Sequence, residues 1–272
     1  MSSPTLRSVP ALQAAIANGL APAFLFFWNA GPPTTPPSRD CLSQWYMASF
    51  EVEGVRYLTA EHFMMAAKAR HFHDDSTLAA ILAADHPSEA KKLGRQVQDF
   101  DSASWATVRY ERVVQGNLAK FSQNPALRDF LLQTNSLILV EASPEDGIWG
   151  ISLAEDDVRA IQPAEWRGLN LMGFALMEVR SQLARHEVAS RWLEQDNALT
   201  RTFHFPDFKT AFAFLTDVAA VAERLDHHPW MASEYRTVEF RLRTHDAGNT
   251  VTKRDYRLAS EIDKLAAQYG VG

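Results

Sequence analysis

Apolar and polar residues alternate along the chain with two periods, one typical of strands and one typical of helices. Short apolar runs predict buried strands at Phe24–Trp28 and Leu137–Glu141. Around Glu53-Gly54, two short β-prone segments predict a hairpin over residues 50–57. Apolar residues spaced with helical period predict helices over residues 9–18, 60–73, 76–84, 88–97, 102–121 and 125–133.

The C-terminal third begins with a helix and continues as a second mixture of strands and helices. No glycine or proline occurs between Gly173 and Pro206, so we expect a helix from about Leu171 to Trp192 with a domain boundary near residue 185. The strands and helices predicted after it cover residues 201–205, 207–225, 235–244 and 253–268. The apolar stripe of the helix over 207–225 is predicted to face the core and contains Phe208, Ala211, Phe212, Leu215, Val218, Ala219 and Ala222. Both parts are therefore predicted to be α+β.

Composition narrows the possible partners and the compartment. The 272 residues are 46% hydrophobic and 22% charged, which is enough core material for one large domain or two ordinary ones. A net charge of −6 gives no broad attraction to nucleic acid or to an anionic membrane, so neither is expected as a partner. Cys41 is the one cysteine, which agrees with a cytoplasmic location. With only Arg7 before the first apolar run, no signal peptide is expected, and no run approaches the roughly 20 apolar residues of a membrane span.

Proton-transfer chemistry is indicated by a cluster of ionisable residues in the C-terminal part. Glu223, His227, His228, His245 and Asp255 fall within one short window that holds three of the nine histidines. Histidine both gives and takes a proton near neutral pH. His245 falls on the polar phase of the predicted strand, so we expect it to face away from the core.

Three alternatives for this cluster stay open at this point. Three histidines and a carboxylate can bind zinc, although the spacing lacks the usual short metal signatures. Thr252 and Asp255 fit a capping box at the start of the last helix. Glu223 fits an ordinary solvated helix residue.

The spaced motif in this window resembles that of the pterin-4a-carbinolamine dehydratases over about residues 187–270. The matching segments are Phe203-His-Phe-Pro-Asp-Phe-Lys-Thr-Ala-Phe-Ala-Phe, His227-His-Pro, Tyr235-Arg-Thr-Val, Thr244-His-Asp and Asp255-Tyr-Arg-Leu-Ala-Ser. One departure is the segment Trp230–Glu234, where the family usually has an aromatic residue and Asn-Val just before the tyrosine.

The dehydratase resemblance implies a fold, an activity and a set of site residues. It implies an antiparallel sheet packed on helices, a homo-oligomer formed through this domain, and dehydration of 4a-hydroxytetrahydrobiopterin to quinonoid dihydropterin without metal or cofactor. By resemblance His227, His228 and His245 bind and act on the pterin. Asp255 and Glu223 then support them. Such chemistry needs an acid for the leaving 4a-hydroxyl and a base at N5, and two histidines can supply both.

A second informative stretch lies at the start of the helix over 60–73. Thr59 can cap this helix, and Glu61 then lies in its first turn, where the helix dipole favours an ionised carboxylate. Lys68 is two turns further along the same face, with Met64 and Met65 between. This stripe is a candidate ligand-binding face, and the alternative is an ordinary solvated glutamate.

Eight segments in the same order resemble the NADAR (YbiA-like) N-glycosidase family over about residues 24–184. They are Leu42-Ser-Gln-Trp-Tyr, Phe50-Glu-Val-Glu-Gly-Val-Arg-Tyr-Leu-Thr-Ala-Glu-His, Ala90-Lys-Lys-Leu-Gly-Arg, Trp105, Gly116-Asn-Leu-Ala-Lys-Phe, Leu139-Val-Glu-Ala-Ser-Pro, Trp149-Gly-Ile and Gly168-Leu-Asn-Leu-Met-Gly. The resemblance implies a mainly helical domain with a small sheet. It also implies hydrolysis of the N-glycosidic bond in phosphoribosylamino-pyrimidine intermediates of riboflavin biosynthesis. Some relatives act instead on ADP-ribose compounds, including ADP-ribosylated guanine.

Roles follow from the chemistry of glycoside cleavage, which passes through an oxocarbenium-like state. An ionised Glu61 could stabilise that cation or activate water. The candidates for the ribose phosphate are Lys68, Arg95 and Lys120. The candidates for stacking on the base are Trp105 and Trp149, for which core packing is the alternative. Asn170 is a substrate-binding candidate that could equally form a turn, and Ser152 stands where a glycine is expected.

The prediction for the whole chain is a bifunctional enzyme with small-molecule substrates. Residues 22–184 form the glycosidase domain and residues 186–272 the dehydratase domain. The first rival is an N-terminal module that binds ADP-ribose or NAD-related compounds, or removes ADP-ribose from guanine. The second is a C-terminal part that serves chiefly for dimerisation, although three retained histidines favour catalysis.

Overall fold

The computed structural model describes residues 6–271 and confirms the predicted α+β class. Within it the chain divides into two compact units, one ending at Leu183 and the other beginning at Ala184. No helix within residues 6–271 is long and apolar enough to cross a membrane.

The first unit is built around one central helix. Its elements, in chain order, are α1 (Val9–Ala17), β1 (Phe24–Phe27), a 3-10 turn (Arg39–Leu42), β2 (Phe50–Val52), β3 (Val55–Tyr57), α2 (Ala60–His71), α3 (Asp75–Ala83), α4 (Pro87–Gly94), α5 (Ser102–Gln123), α6 (Pro125–Gln133), β4 (Ile138–Glu141) and the start of α7 (Leu171–Ala189). Nine of the twelve residues of α2 are buried, because α3, α4 and α5 all pack against it.

Two small sheets complete the first unit. Strands β1 and β4 are parallel, with Phe27 opposite Glu141. Strands β2 and β3 form the predicted hairpin around Glu53-Gly54, and both turn residues have positive φ. Strand β1 also packs on the 3-10 turn at Arg39–Leu42.

The second unit is an antiparallel sheet covered by helices. Its elements are β5 (Leu193–Gln195), β6 (Ala198–His204), α8 (Phe208–Leu225), β7 (Trp230–Glu234), β8 (Thr237–Leu242), a 3-10 turn (His245–Ala247) and α9 (Lys253–Gln268). The strand order is β5-β6-β8-β7. Helices α8 and α9 pack on each other and on the sheet over an aromatic core that contains Trp192, Phe203, Phe205, Phe214 and Phe240.

Three details of this unit differ from the prediction. Helix α7 ends at Ala189 because Trp192 turns into the core, where its indole donates to Asp263 (2.9 Å). Strand β5 was not predicted; a hairpin joins it to β6 through Asp196-Asn197, whose positive φ values of 51° and 57° suit a tight turn. Strand β7 replaces a predicted loop.

The predicted core stripe of α8 was partly wrong. Phe208 and Phe212 are exposed and stack on each other at 5.8 Å. Phe214 takes the inward position instead, because it shares a helical face with Ala211 and Val218, which are both fully buried.

Candidate active sites

Glu61 is the polar centre of the first unit. The Thr59 hydroxyl accepts a hydrogen bond from the His62 N–H (3.3 Å) and caps α2 as predicted. The Glu61 N–H donates to the Gln44 carbonyl at 3.0 Å. These contacts fix the first turn of α2, and they leave the Glu61 carboxyl group inside the protein, since the residue is only 2% exposed.

The surroundings of Glu61 raise the pKa of its carboxyl group into the neutral range. Burial raises its pKa to about 7, against the lowering effects of Lys91, of a hydrogen bond from the Trp45 side chain and of Arg95. Its Oε1 atom is buried and has no hydrogen-bond partner within residues 6–271. Because buried acceptors are normally satisfied, an orphaned oxygen of this kind is suited to a ligand or a water molecule.

Glu141, a half-buried residue with one buried carboxyl oxygen, is a second acid that the sequence interpretation did not identify. It ends β4, where its N–H donates to Asn170 Oδ1 (3.0 Å) and its carbonyl accepts from the Ile151 N–H (3.0 Å). Burial, Asp146 and Glu61 raise its pKa to about 8. Its Oε2 atom is buried and lacks a hydrogen-bond partner in the described part of the chain. The sequence feature that could have identified Glu141 is the position of an acidic residue at the end of an apolar strand.

Lys91 is the cation common to the two carboxyl groups. It lies on α4, and its charge lowers the pKa of both Glu61 and Glu141. Its ammonium group is 5.6 Å from the centre of the Trp45 ring. Trp45 and Lys91 lie within the matching segments, yet neither received a role from sequence alone.

Two predicted cations lie along α2 and α4. Lys68 Nζ donates to the Gly94 carbonyl (2.7 Å) and lies 3.9 Å over the Phe100 ring, so it ties α2 to the end of α4. The exposed Arg95 acts electrostatically on Lys68 and on Glu61. Met64 and Met65, which lie between Glu61 and Lys68 on this stripe, are buried core residues.

The positions of Lys120 and Trp105 favour structural roles over the predicted ones. Lys120 is fully buried and donates to the carbonyls of Cys41 (2.7 Å) and Ser43 (2.9 Å). It therefore anchors the loop that precedes Gln44 instead of presenting a cation to phosphate. Burial lowers its pKa to about 8. Trp105 is 7% exposed and belongs to the main core, which favours packing over base stacking.

The remaining predicted residues of this unit shape the loop around Glu141. Trp149 is half-buried, and its backbone N–H donates to Asp146 Oδ1 (2.8 Å). Asn170 is fully buried and also donates to the Leu139 carbonyl (3.0 Å), so its amide clamps β4. Ser152 has a φ of 54°, a conformation that glycine adopts at lower cost, which accounts for the glycine expected there.

In the second unit, His227 and Asp255 form a buried pair. Their Nε2 and Oδ1 atoms are 2.8 Å apart. The other carboxylate oxygen accepts from the Thr244 hydroxyl (2.7 Å) and from the Thr252 N–H (2.7 Å). Burial alone would raise the pKa of Asp255, but the hydrogen bonds from His227, Thr244 and Thr252 bring it below its ordinary value. The predicted capping box is present, so the carboxylate both caps α9 and anchors a histidine.

His228 and His245 lie at the surface of this unit. His228 Nε2 is 3.1 Å from Glu223 Oε1, and both side chains are mostly exposed. Strand β8 ends at Leu242, so His245 is not on the strand as predicted; it begins the 3-10 turn and its Nδ1 is 2.7 Å from Asn249 Oδ1. The preceding residue, Thr244, is bonded to Asp255, which connects the turn to the His227 pair.

No group of three or more His, Cys, Asp or Glu side chains within residues 6–271 is arranged to hold a metal ion. The first candidate site consists of carboxyl groups with nearby cations, and the second consists of histidines with supporting carboxylates.

Comparisons with known proteins agree with this division. A model of the NADAR domain matches residues 26–184, and a model of pterin 4 alpha carbinolamine dehydratase matches residues 175–265. An N-glycosidase of Acanthamoeba polyphaga mimivirus is 39% identical over 145 residues, which are 52% of this chain and 85% of that protein. A putative pterin-4-alpha-carbinolamine dehydratase of Rhodopseudomonas palustris is 47% identical over 92 residues, which are 34% of this chain and 90% of that protein.

A solved structure is also similar to part of the chain. The NMR structure of the E. coli protein YbiA shares 26% sequence identity, with a TM-score of 0.49, over 62% of this chain and 89% of that one. From the family models and the curated relatives, the chain joins two enzyme domains in one polypeptide: it belongs to the NADAR family through residues 26–184 and to the pterin-4-alpha-carbinolamine dehydratase family through residues 175–265.

Proposed function

We propose that the first unit hydrolyses the N-glycosidic bond of phosphoribosylamino-pyrimidine intermediates of riboflavin biosynthesis. The observation that carries the proposal is the buried Glu61, whose Oε1 atom has no partner within residues 6–271 and whose surroundings hold its pKa near 7. A carboxyl group in that state can be ionised at the pH of the reaction. The N-glycosidase name of the mimivirus relative supports the reaction class.

The chemistry assigned to Glu61 is that of a base and a counter-charge. As the glycosidic bond breaks, positive charge develops on the ribose ring, and an adjacent carboxylate stabilises it. The same carboxylate can take a proton from the attacking water. Lys91 and the exposed Arg95 are the cations within electrostatic range of Glu61 that suit an anionic substrate.

A panel of glycosides tests the proposed substrate. The purified protein is incubated with phosphoribosylamino-pyrimidines, ADP-ribose and ADP-ribosylated guanine, and released base or ribose phosphate is measured. We expect release from the pyrimidine compounds. Preferential release from ADP-ribosylated guanine would replace this substrate assignment, and binding of ADP-ribose without turnover would support a binding module instead.

For the second unit, we propose dehydration of 4a-hydroxytetrahydrobiopterin to quinonoid dihydropterin. The observation that carries it is the His227–Asp255 pair. An ionised Asp255 can only accept hydrogen bonds, so His227 must donate from Nε2, and Nδ1 is the ring nitrogen left to exchange a proton. His228 and His245 are exposed, so a pterin can reach them. Protonation of the leaving 4a-hydroxyl and removal of the N5 proton are then divided among these histidines.

We also propose that the second unit associates with another copy of the chain. Phe208 and Phe212 are 51% and 56% exposed, and they stack on each other along α8. Adjacent exposed aromatic rings of this kind are typical of contact surfaces. Light scattering should show an oligomer that Phe212→Glu weakens. A monomeric wild-type protein would contradict the oligomer proposal but not the dehydratase proposal. The dehydratase proposal is tested separately, by measuring conversion of the 4a-hydroxypterin.

A further inference from the structure

Glu141 is a half-buried acid for which neither the fold nor the proposed role of Glu61 supplies a use. Its backbone is held independently of its side chain, by Asn170 on one side and Ile151 on the other. The carboxyl group is therefore not needed to hold β4 in place. Its Oε2 atom is buried and meets no hydrogen-bonding group among residues 6–271, which is costly unless the group has a ligand.

Glu61 and Glu141 belong to one electrostatic cluster. The charge of Glu61 acts on Glu141, and Lys91 and Asp146 act on both. Each of the two glutamates has one buried oxygen without a partner in the described chain. Glycoside hydrolysis uses a pair of carboxyl groups, one as an acid and one as a base.

The surroundings of the two groups differ in a way that assigns the roles. Glu61 lies in the first turn of α2 and receives a hydrogen bond from Trp45, and both features favour its carboxylate. The Oε2 atom of Glu141 has no hydrogen-bond partner within residues 6–271, and the charges of Asp146 and Glu61 favour the protonated form of this acid. Environments that separate two titratable groups in this sense distinguish the acid from the base.

We propose that Glu141 is a second catalytic residue of the first unit, the general acid that protonates the leaving nitrogen of the glycoside; this inference rests on the N-glycosidase function proposed above. The C1′–N bond breaks, its electron pair stays on nitrogen, and Glu141 gives that nitrogen a proton. Water adds its oxygen to C1′ and gives a proton to the Glu61 carboxylate. Free amine and ribose phosphate leave, and transfer of the proton from Glu61 to Glu141 restores the site.

The leaving group provides a test that a structural role would not pass. Glu141→Gln is assayed with a phosphoribosylamino-pyrimidine and with nitrophenyl ribose 5-phosphate, whose nitrophenolate departs with little help from an acid. We expect turnover of the amine glycoside to fall by about 100-fold or more, and that of the nitrophenyl compound by less than about 5-fold. Glu61→Gln should impair both substrates, since water activation is common to them.

Two further variants complete the design. Glu145→Gln, an exposed acid of the following loop, is the matched control and should behave as wild type. Glu141→Asp keeps a carboxyl group and should recover part of the lost turnover, which guards against a Gln variant that folds poorly. Equal losses on both substrates, or full amine turnover in Glu141→Gln, would overturn the assignment while leaving the N-glycosidase proposal intact. A wild-type protein inactive toward every glycoside would overturn both.

Discussion

The two candidate sites differ in how their buried carboxyl oxygens are hydrogen-bonded. In the first unit, Glu61 and Glu141 each have one buried carboxyl oxygen without a hydrogen-bond partner within residues 6–271. In the second unit, Asp255 is also buried, but each of its oxygens is hydrogen-bonded, and two of the three histidines are exposed.

The difference concerns the state of each site before a ligand arrives. Unsatisfied buried carboxyl groups lower the stability of the fold and are ready to change protonation near neutral pH. A fully bonded carboxylate stabilises its surroundings and orients a histidine instead. Replacing the ionisable carboxyl group by an amide should therefore stabilise the fold at the first site and destabilise it at the second.

The largest expected effect comes from Glu61. Glu61→Gln keeps the shape of the side chain but removes its charge, so kcat for glycoside hydrolysis should fall by about 1,000-fold while KM changes little. Steady-state kinetics measure both constants. Glu51→Gln, an exposed acid of β2, is the control. A variant with near wild-type kcat would remove Glu61 from the mechanism.

Next in size is the loss expected at His245. His245→Ala should lower dehydratase turnover by about 100-fold, because it removes one proton-transferring group. Asn249→Gly, which removes the partner of the His245 ring and tolerates the φ of 59° at this position, should cost less than about 10-fold. His204→Ala changes an exposed histidine of β6 and serves as the matched control. If His245→Ala and His204→Ala were equally active, the dimerisation alternative would gain support.

Asp255 should stabilise the folded protein. Its pKa is lowered in the folded protein, so its contribution to stability is present above the unfolded pKa and is lost as pH falls through the folded one. Asp255→Asn should therefore cost about 2 kcal/mol at neutral pH and less in acid, because it weakens the bonds from His227 and Thr252. Chemical denaturation at several pH values measures this, with the exposed Asp246→Asn for reference.

Glu141 should show the smaller, opposite effect. Its pKa is raised to about 8, so the unfolded chain releases its proton first and the folded state loses stability as pH rises toward 8. Glu141→Gln should therefore be more stable than wild type by about 1 to 2 kcal/mol at pH 9, after allowance for relaxation. The gain should disappear near pH 5. A gap that does not depend on pH would mean that Glu141 is not a buried acid of this kind.

Local patterns predicted some features well. Thr59 and Glu61 could be placed because capping depends only on neighbouring residues, and Thr252 with Asp255 for the same reason. The burial of Lys120 could not be foreseen, because a lysine on a long amphipathic helix normally reaches solvent.

Contacts between residues that are distant in the chain could not be predicted from local sequence patterns. Glu141 and Lys91 approach Glu61 only through the packing of β4 and α4, which no local period encodes. Strand β7 escaped prediction because Trp230–Glu234 lacks alternation, and four of its five residues are exposed.

The central claim is that one chain carries two active sites that work independently. The most direct test assays wild type, Glu61→Gln and His245→Ala side by side with a phosphoribosylamino-pyrimidine and with 4a-hydroxytetrahydrobiopterin. We predict that wild type converts both compounds, that Glu61→Gln loses only the glycosidase activity, and that His245→Ala loses only the dehydratase activity. Loss of both activities in either folded variant, or a wild-type protein that converts only one compound, would contradict the claim.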